Sequence, residues 1–353
     1  MSDYTPIQVL GEFGLIERIR TLLGPPSDED VRLGIDDDAA VYHVGDDRVH
    51  VVTTDALIEG VHFDRSFVPL LHLGLKTVAV NVSDVVAMNA RPRFATLALG
   101  LPETMSVEQV EAFYEGVRQG CATYGVTLVG GDTTAARYLT VVLTVIGEAR
   151  ESDVIFRRGA RPGDLLCVTG DLGGAYAGLK VLLDQRQALR ETGGDFEPNL
   201  DPFRYVIARQ LTPTARLATL EDWARRRVRP RALIDVSDGL ASEVHHLCRQ
   251  SGCGAIIRAA SLPIHPETRA VADQFLDDVD TYALFGGEDY ELLFALPEDE
   301  LDRLDPESYT VVGQFTEASE GVRIQTPEGL LVPLDAQGYQ HFRTDDYAGD
   351  GGA

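Results

Sequence analysis

Apolar residues recur at intervals of three and four in "EFGLIERIRTLL", a helical period that stops at Gly24-Pro25-Pro26. "VHVVTTDALIEG" turns β-branched and predicts a strand running into Asp55. "LHLGLKTVAVNVSDVVAM" (71–88) predicts a long apolar helix carrying Asp84; "FATLALGLP" predicts a second strand, with a charged amphipathic helix over 107–124 behind it. "GVTLVGGDTT" reads as a short strand ending in glycines and Asp132, and "YLTVVLTVIGEA" is the clearest strand of this half. Gly and Pro in "RRGARPG" (157–163) break the pattern and mark a domain boundary. Beyond it, "DLLCVTGDLGGAYAGLKVLL" reads strand, glycine turn, helix, and "RALIDVSDGLASEVHHLCRQSGCGAIIRA" repeats that order and adds a strand. "ALFGGEDYELLFALP" sets a Gly-Gly-Glu-Asp turn before another strand. Helices alternate with strands in both halves, so the class is α/β or α+β.

Length sharpens this picture. At 353 residues the chain exceeds most single cores. We expect a first domain over 1–150, a second over 151–345 and a tail over 346–353. The formal charge of −25 argues against nucleic acid or an anionic membrane as partner. No run approaches the ~20 uninterrupted apolar residues of a membrane span. "MSDYTPIQVLGEFG" has no basic start leading into an apolar run, so a cytoplasmic protein is expected. Cys121, Cys167, Cys248 and Cys253 form no CxxC pair and no zinc-like spacing.

The candidate chemistry lies in the carboxylates. "LGIDDDAAVY" stacks Asp36, Asp37 and Asp38 between apolar residues, where like charges repel and lose hydration. Asp55 follows "VVTT", Asp132 follows "LVGG", and Asp235 with Asp238 stands in "LIDVSDG". Strand ends and the loops after them are where α/β proteins place ligands. Each also has a structural reading. Asp132 could cap a turn, Ser237 or Asp238 could be the N-cap of the helix starting near Gly239, and Asp84 could lie on an exposed helix side. Together, Asp38, Asp55, Asp84, Asp132, Asp235 and Asp238 all adjoin apolar or glycine-rich segments. Their convergence would require hard divalent cations, and oxygen-only ligands favour Mg²⁺ or Ca²⁺. Mg²⁺ binds phosphates beside a few carboxylates, which makes a nucleotide the natural ligand. The glycines of "TGDLGGAYAG" could receive a phosphate, but neither a Walker A loop nor a dinucleotide fingerprint is present, and close helix–strand packing explains them better.

"GEFGLIERI", "GIDDDAAV", "TTDALIEGVHF", "AVNVSDVVAMNARP", "LVGGDTT", "RRGARPGD", "IDVSDGL" and "GGEDYELLF" occur in the order found in thiamine-monophosphate kinases, and the chain resembles that family over nearly its whole length. The wider superfamily of aminoimidazole ribonucleotide synthetase is similar in using ATP with metal-binding aspartates in place of a P-loop. The resemblance implies an N-terminal domain that pairs with a second protomer in a barrel, and a C-terminal α+β domain over the nucleotide. Metal ligation by several Mg²⁺ ions would fall on Asp38, Thr54, Asp55, Asp84, Asp132 and Asp235, with Asp238 and Thr53. ATP would meet Gly131, Arg157, Ser237 and Tyr114, while His62, Glu288 and Tyr339 match positions that hold the thiamine substrate. The implied reaction transfers a phosphoryl group in line from ATP to thiamine monophosphate, with Arg157 adding positive charge and no general base.

One residue departs from the family pattern, which usually has glycine where this chain has Asp36. If that glycine needed a positive φ, aspartate tolerates it better than most residues. Asp37 and Asp38 then carry the function, and Asp36 is a solvated substitution. Two other superfamily chemistries fit less well. A selenophosphate synthetase calls for a reactive N-terminal cysteine, and none precedes Cys121; the hydrogenase-maturation type calls for a C-terminal cysteine, where this chain reads "DYAGDGGA". A non-catalytic cation-binding scaffold would bind metal without turnover.

Overall fold

The computed structural model describes residues 4–192 and 197–336. Tyr339 and the expected tail over 346–353 lie outside the described residues. Helix α1 (Gly11–Leu23) ends at Gly24, whose φ of 70° suits the glycine ahead of two prolines. Strands β1 (Val31–Leu33), β2 (Ala40–Gly45) and β3 (Arg48–Ile58) follow, then helix α2 (Leu70–Ala87) and strand β4 (Arg91–Leu101). Helix α3 (Val107–Tyr124), closed by a Ser106/Gln109 capping box, leads to β5 (Thr127–Ala135) and β6 (Thr140–Arg150). The six strands form one sheet in the order β1-β2-β3-β6-β4-β5, parallel only between β4 and β5.

Alternation assigns the two faces of this sheet. Along β3, Val49, Val51, Thr53 and Leu57 are buried, whereas Thr54 and Ala56 are exposed. Helices α2 and α3 cover the buried face, and they approach closely because Gly74 and Gly116 face each other. A Cβ at Gly74 would stand 2.2 Å from the Phe113 carbonyl oxygen, and one at Gly116 would stand 1.9 Å from that of Leu71.

The second half builds β7 (Leu165–Val168), α4 (Gly174–Glu191), α5 (Arg204–Leu211), α6 (Leu217–Arg226), β8 (Ala232–Asp235), α7 (Leu240–Ser251) and β9 (Gly254–Arg258). Then come α8 (Pro266–Phe275), α9 (Val279–Phe285), β10 (Leu292–Leu296), β11 (Thr310–Thr316), β12 (Val322–Gln325) and β13 (Leu331–Pro333). Their sheet runs β13-β12-β9-β11-β7-β10-β8. One hydrophobic cluster joins α2 and the first sheet to Trp223, Leu233, Leu292 and Phe294 of the second half. Helix α2 is long and apolar enough to cross a membrane by length and composition, but here it is a core helix packed among both sheets and α3. Its last turns bring Ser83 and Asp84 to the end of β8. That junction is the site.

Three expectations need correction. Asp55 and Asp132 sit inside β3 and β5, not at strand ends, because both strands continue for three further residues in register with β6 and β4. Neither Ser237 nor Asp238 caps α7; Gly239, with φ 106°, takes the N-cap position without a side-chain bond. Asp84 does not lie on an exposed helix side; it is partly buried and receives the Thr53 hydroxyl at 2.6 Å.

Candidate active site

The opening carboxylates divide as chemistry requires. Asp36 is exposed and has φ 148°, a glycine-favouring conformation on the surface; its carboxylate meets the Arg20 guanidinium at 3.1 Å and its carbonyl accepts from the Gln250 amide. Asp37 and Asp38 turn inward, with side chains 0% and 1% exposed. Arg157 gathers both. Its guanidinium donates to Asp38 Oδ1 at 2.5 Å, and its backbone N–H donates to Asp37 Oδ2 at 3.1 Å. The guanidinium, expected to meet ATP and add positive charge, is engaged here by the carboxylates of Asp37 and Asp38. Asp38 Oδ2 is buried and has no hydrogen-bond partner.

Carboxylate oxygens of Asp38, Asp84 and Asp235 lie within 4.8 Å of one another. They come from the loop before β2, the end of α2 and the end of β8. Around them, Ser83 Oγ donates to Asp235 at 2.5 Å, and Asn81 accepts the Asp55 backbone N–H at 3.0 Å while donating to the Thr77 carbonyl. Ser83 thus orients the Asp235 carboxylate without neutralising it, and Asn81 fixes the backbone that carries Asp55.

Burial pushes Asp235 up to about 8, helped by the charge of Asp38, and burial with the Asp38 charge pushes Asp37 up to about 7. Asp84 is raised well above the carboxylate range by burial and then by Asp55, Asp235 and Asp38. Asp55 is raised by burial and by Asp38. Asp238 is pushed up to about 7 by burial and by Glu12. Acids this close, with an orphaned inward oxygen, are a donor set fit for a hard divalent cation.

The turn 236–239 and the loop 286–291 close the cleft. Ser237 accepts the Glu288 backbone N–H through its carbonyl at 2.6 Å, and buried Glu243 accepts the Asp238 N–H at 3.0 Å. Glu288 and Tyr290 both hold positive φ, 59° and 52°, a strained conformation for side chains of that size. His62 accepts the Ile58 N–H on Nδ1 at 3.1 Å, which leaves Nε2 to carry the proton when the ring is neutral.

Some expected residues stand elsewhere. The Thr54 hydroxyl lies on the opposite face of β3, 3.0 Å from that of Thr144. Asp132 pairs with Ala98 on the exposed side of the sheet, while β5 stands three strands, or roughly 14 Å, from β3. Gly131 is required by packing, since a Cβ there would come within 1.9 Å of the Leu97 carbonyl oxygen. Tyr114 packs its ring edge-on to Phe113 at 5.7 Å. The glycines before α4 are packing positions, as expected. The N–H groups of Gly173 and Ala175 go to buried Asp289, so that helix start holds the protein's own carboxylate.

Sequence reasoning missed Asn81, Ser83, Glu243 and Tyr290 as parts of this site. "AVNVSD" held the signal for the first two: polar residues recurring inside an otherwise apolar helix.

Comparison with known proteins defines the class first. The AIR synthase related protein N-terminal domain matches residues 36–149, and its C-terminal domain matches 161–325. Thiamine-monophosphate kinases from Aquifex aeolicus and Bacillus subtilis are 35% and 32% identical, each over 95% of this chain and over 99% and 100% of theirs. A solved structure described as AaThiL complexed with AMPPCP and TMP superposes with a TM-score of 0.82 at 34% identity, covering 96% of this chain and 100% of that one. Hydrogenase maturation protein HypE, at 20% identity and TM-score 0.64 over 84% of this chain and 91% of that one, shares the fold. The chain belongs to the thiamine-monophosphate kinase family.

Proposed function

We propose that the chain phosphorylates thiamine monophosphate with ATP, giving thiamine diphosphate and ADP. The observation that carries this reading is the convergence of Asp38, Asp84 and Asp235 from three separate elements, in a chain so close to a protein solved with AMPPCP and TMP. An oxygen of the substrate phosphate attacks the γ-phosphorus of ATP as the bond to the β–γ bridging oxygen breaks. A phosphate monoester has its second pKa near ~6, so it is largely dianionic at neutral pH and needs no general base. The task of the protein is to hold two polyanions in line.

Asp38, Asp84 and Asp235, with Asp55 and Asp238 beside them, would hold Mg²⁺. When bound, Mg²⁺ supplies charge neutralisation and alignment of the phosphates. Arg157 keeps Asp37 and Asp38 pointed inward. By the family resemblance, Ser237 would meet ATP, and His62 and Glu288 the thiamine substrate.

The test is thiamine diphosphate formation from ATP, Mg²⁺ and thiamine monophosphate, measured by chromatography with a chelator control. Product that disappears with chelator is expected. Folded protein that binds ATP yet makes no product with Mg²⁺, Mn²⁺ or Ca²⁺ would sink the reading.

We also infer a cytoplasmic homodimer, with the domain division near residue 150. The uncovered face of the first sheet carries Thr54, Ala56, Thr96, Ala98 and Asp132, with Phe94 37% exposed. Pairing of this face with a second copy would bury it and place Asp132 and Thr54 at a subunit boundary. Sedimentation is expected to give twice the chain mass; a monomer at micromolar concentration would refute it.

A further inference from the structure

Lysine occurs at only two positions in this arginine-rich chain, Lys76 and Lys180. Lys76 lies on α2 and is 3% exposed. Its ammonium donates to Glu288 Oε1 at 2.8 Å and to the Gln210 carbonyl at 3.2 Å. Gln210, on α5, donates its side-chain amide to the other oxygen, Glu288 Oε2, at 2.8 Å. Both oxygens of one carboxylate are thus held, by residues from the two halves of the chain. The Gln210 amide is 4% exposed, and its Oε1 has no partner. Burying an unmatched amide oxygen is costly, so the Nε2 contact is what the side chain is there to make.

Glu288 itself is fixed from behind. Its N–H goes to the Ser237 carbonyl, and its φ of 59° turns the side chain out of the line of the loop. Its side chain remains 28% exposed, so the carboxylate keeps a free side while its oxygens are anchored.

We propose that Lys76 and Gln210 are positioning residues that hold the Glu288 carboxylate immobile as the acceptor for the amino group on the pyrimidine ring of the acceptor substrate, and so set affinity for that substrate and not for ATP. The inference rests on the kinase reading above, with Glu288 as a substrate contact. A carboxylate accepts an amino N–H best when it is already immobile, because its ordering cost is then met before the substrate arrives. Two anchors from different elements, the Lys76 ammonium on α2 and the Gln210 amide on α5, supply that immobility.

The experiment compares wild type, Lys76→Met, Gln210→Leu, Glu288→Gln and the Lys76→Met/Glu288→Gln double variant in steady-state kinetics. Lys76→Met is expected to raise KM for thiamine monophosphate about 10-fold or more and Gln210→Leu about 3-fold or more, with KM for ATP changed less than about 2-fold. If Lys76 acts through Glu288, adding Lys76→Met to Glu288→Gln raises that KM by less than about 3-fold. Gln210→Leu keeps the side-chain volume and tests the clamp independently should Lys76→Met fail to fold. Equal loss on both substrates, unchanged KM, or full additivity in the double variant would overturn the clamp. Absence of wild-type turnover would instead remove the kinase reading, and the clamp with it.

Discussion

Asp84→Asn is expected to lower turnover at least about 100-fold and yet raise the melting temperature of the chelator-treated protein. The two effects have one cause. The Asp84 carboxylate faces Asp38 and Asp235 inside a 4.8 Å cluster, and burial with the charges of Asp55, Asp235 and Asp38 holds it well above its ordinary range. At pH 8 the cation-free wild type must either ionise Asp84 among like charges or keep it protonated against the pH. An amide avoids both and still accepts the Thr53 hydroxyl through its oxygen. A gain of about 1 kcal/mol corresponds to roughly 2–4 °C in domains of this size. With ATP and Mg²⁺ the order reverses, because the amide is a poor ligand for a hard cation, and about 3 kcal/mol of lost transition-state stabilisation gives the hundredfold. Paired calorimetric scans and turnover numbers check it. A variant less stable than wild type in chelator would show that Asp84 is not under electrostatic strain.

Much of the fold was readable because hydrophobic period and turn chemistry agreed. The helix expected over 71–88 is α2 at Leu70–Ala87, and the amphipathic helix over 107–124 is α3 at those residues. The alternation of strand, glycine turn and helix in the second half likewise reproduces β7 to α4 and β8 to α7. Polar residues inside strands were harder to place. Asp132 seemed to close a strand because "GGD" is turn-like, whereas packing against Leu97 holds Gly131 in the sheet and carries β5 on to Ala135. Its face depends on a register shift between Ala95 and Thr96, which sequence does not display.

The acidic cluster was legible from residue types, but its scaffold was not. Three carboxylates from distant segments could be named because each breaks an apolar context. The family's glycine at position 36 already set Asp36 apart from Asp37 and Asp38, but the group that holds those two inward, Arg157, comes from far along the chain and no local pattern shows it. The contacts of Lys76 and Gln210 with Glu288 depend on how α2 and α5 pack against the loop 286–291, and nothing local announces it. Local pattern reveals what a segment is, while long-range packing decides what it meets.

In chelator, the protein is expected to lose stability between pH 6.5 and pH 8, and Mg²⁺ is expected to restore more at pH 8 than at pH 6.5. Asp37 and Asp238 titrate at about 7 and Asp235 at about 8 in the fold, against an ordinary carboxylate value near ~3.9 in the unfolded chain. The folded state therefore binds more protons than the unfolded one, and stability falls as pH rises until these groups have ionised. His246 works in the opposite sense. Burial, with Arg157 nearby, lowers it to about 3, so its contribution rises with pH only up to the ordinary histidine value near ~6.5. Starting at pH 6.5 isolates the acids. The Cys248–Cys253 hydrogen bond raises one thiol and lowers the other, so its contributions oppose each other. For Asp37, Asp238 and Asp235 alone the loss over this window is on the order of 2–3 kcal/mol, and Asp84 and Glu243, both raised well above the carboxylate range by burial, add to it in the same sense. Cation binding stabilises only the folded state, by about 2.7 kcal/mol at a hundredfold excess over Kd, and it requires deprotonated ligands. The increment must then grow with pH, since at pH 6.5 each ion displaces protons that at pH 8 have already left. Chemical denaturation at both pH values, with and without Mg²⁺, measures all four stabilities. A chelated protein as stable at pH 8 as at pH 6.5, or an equal Mg²⁺ increment at both, would mean that these carboxylates neither strain the fold nor hold the cation.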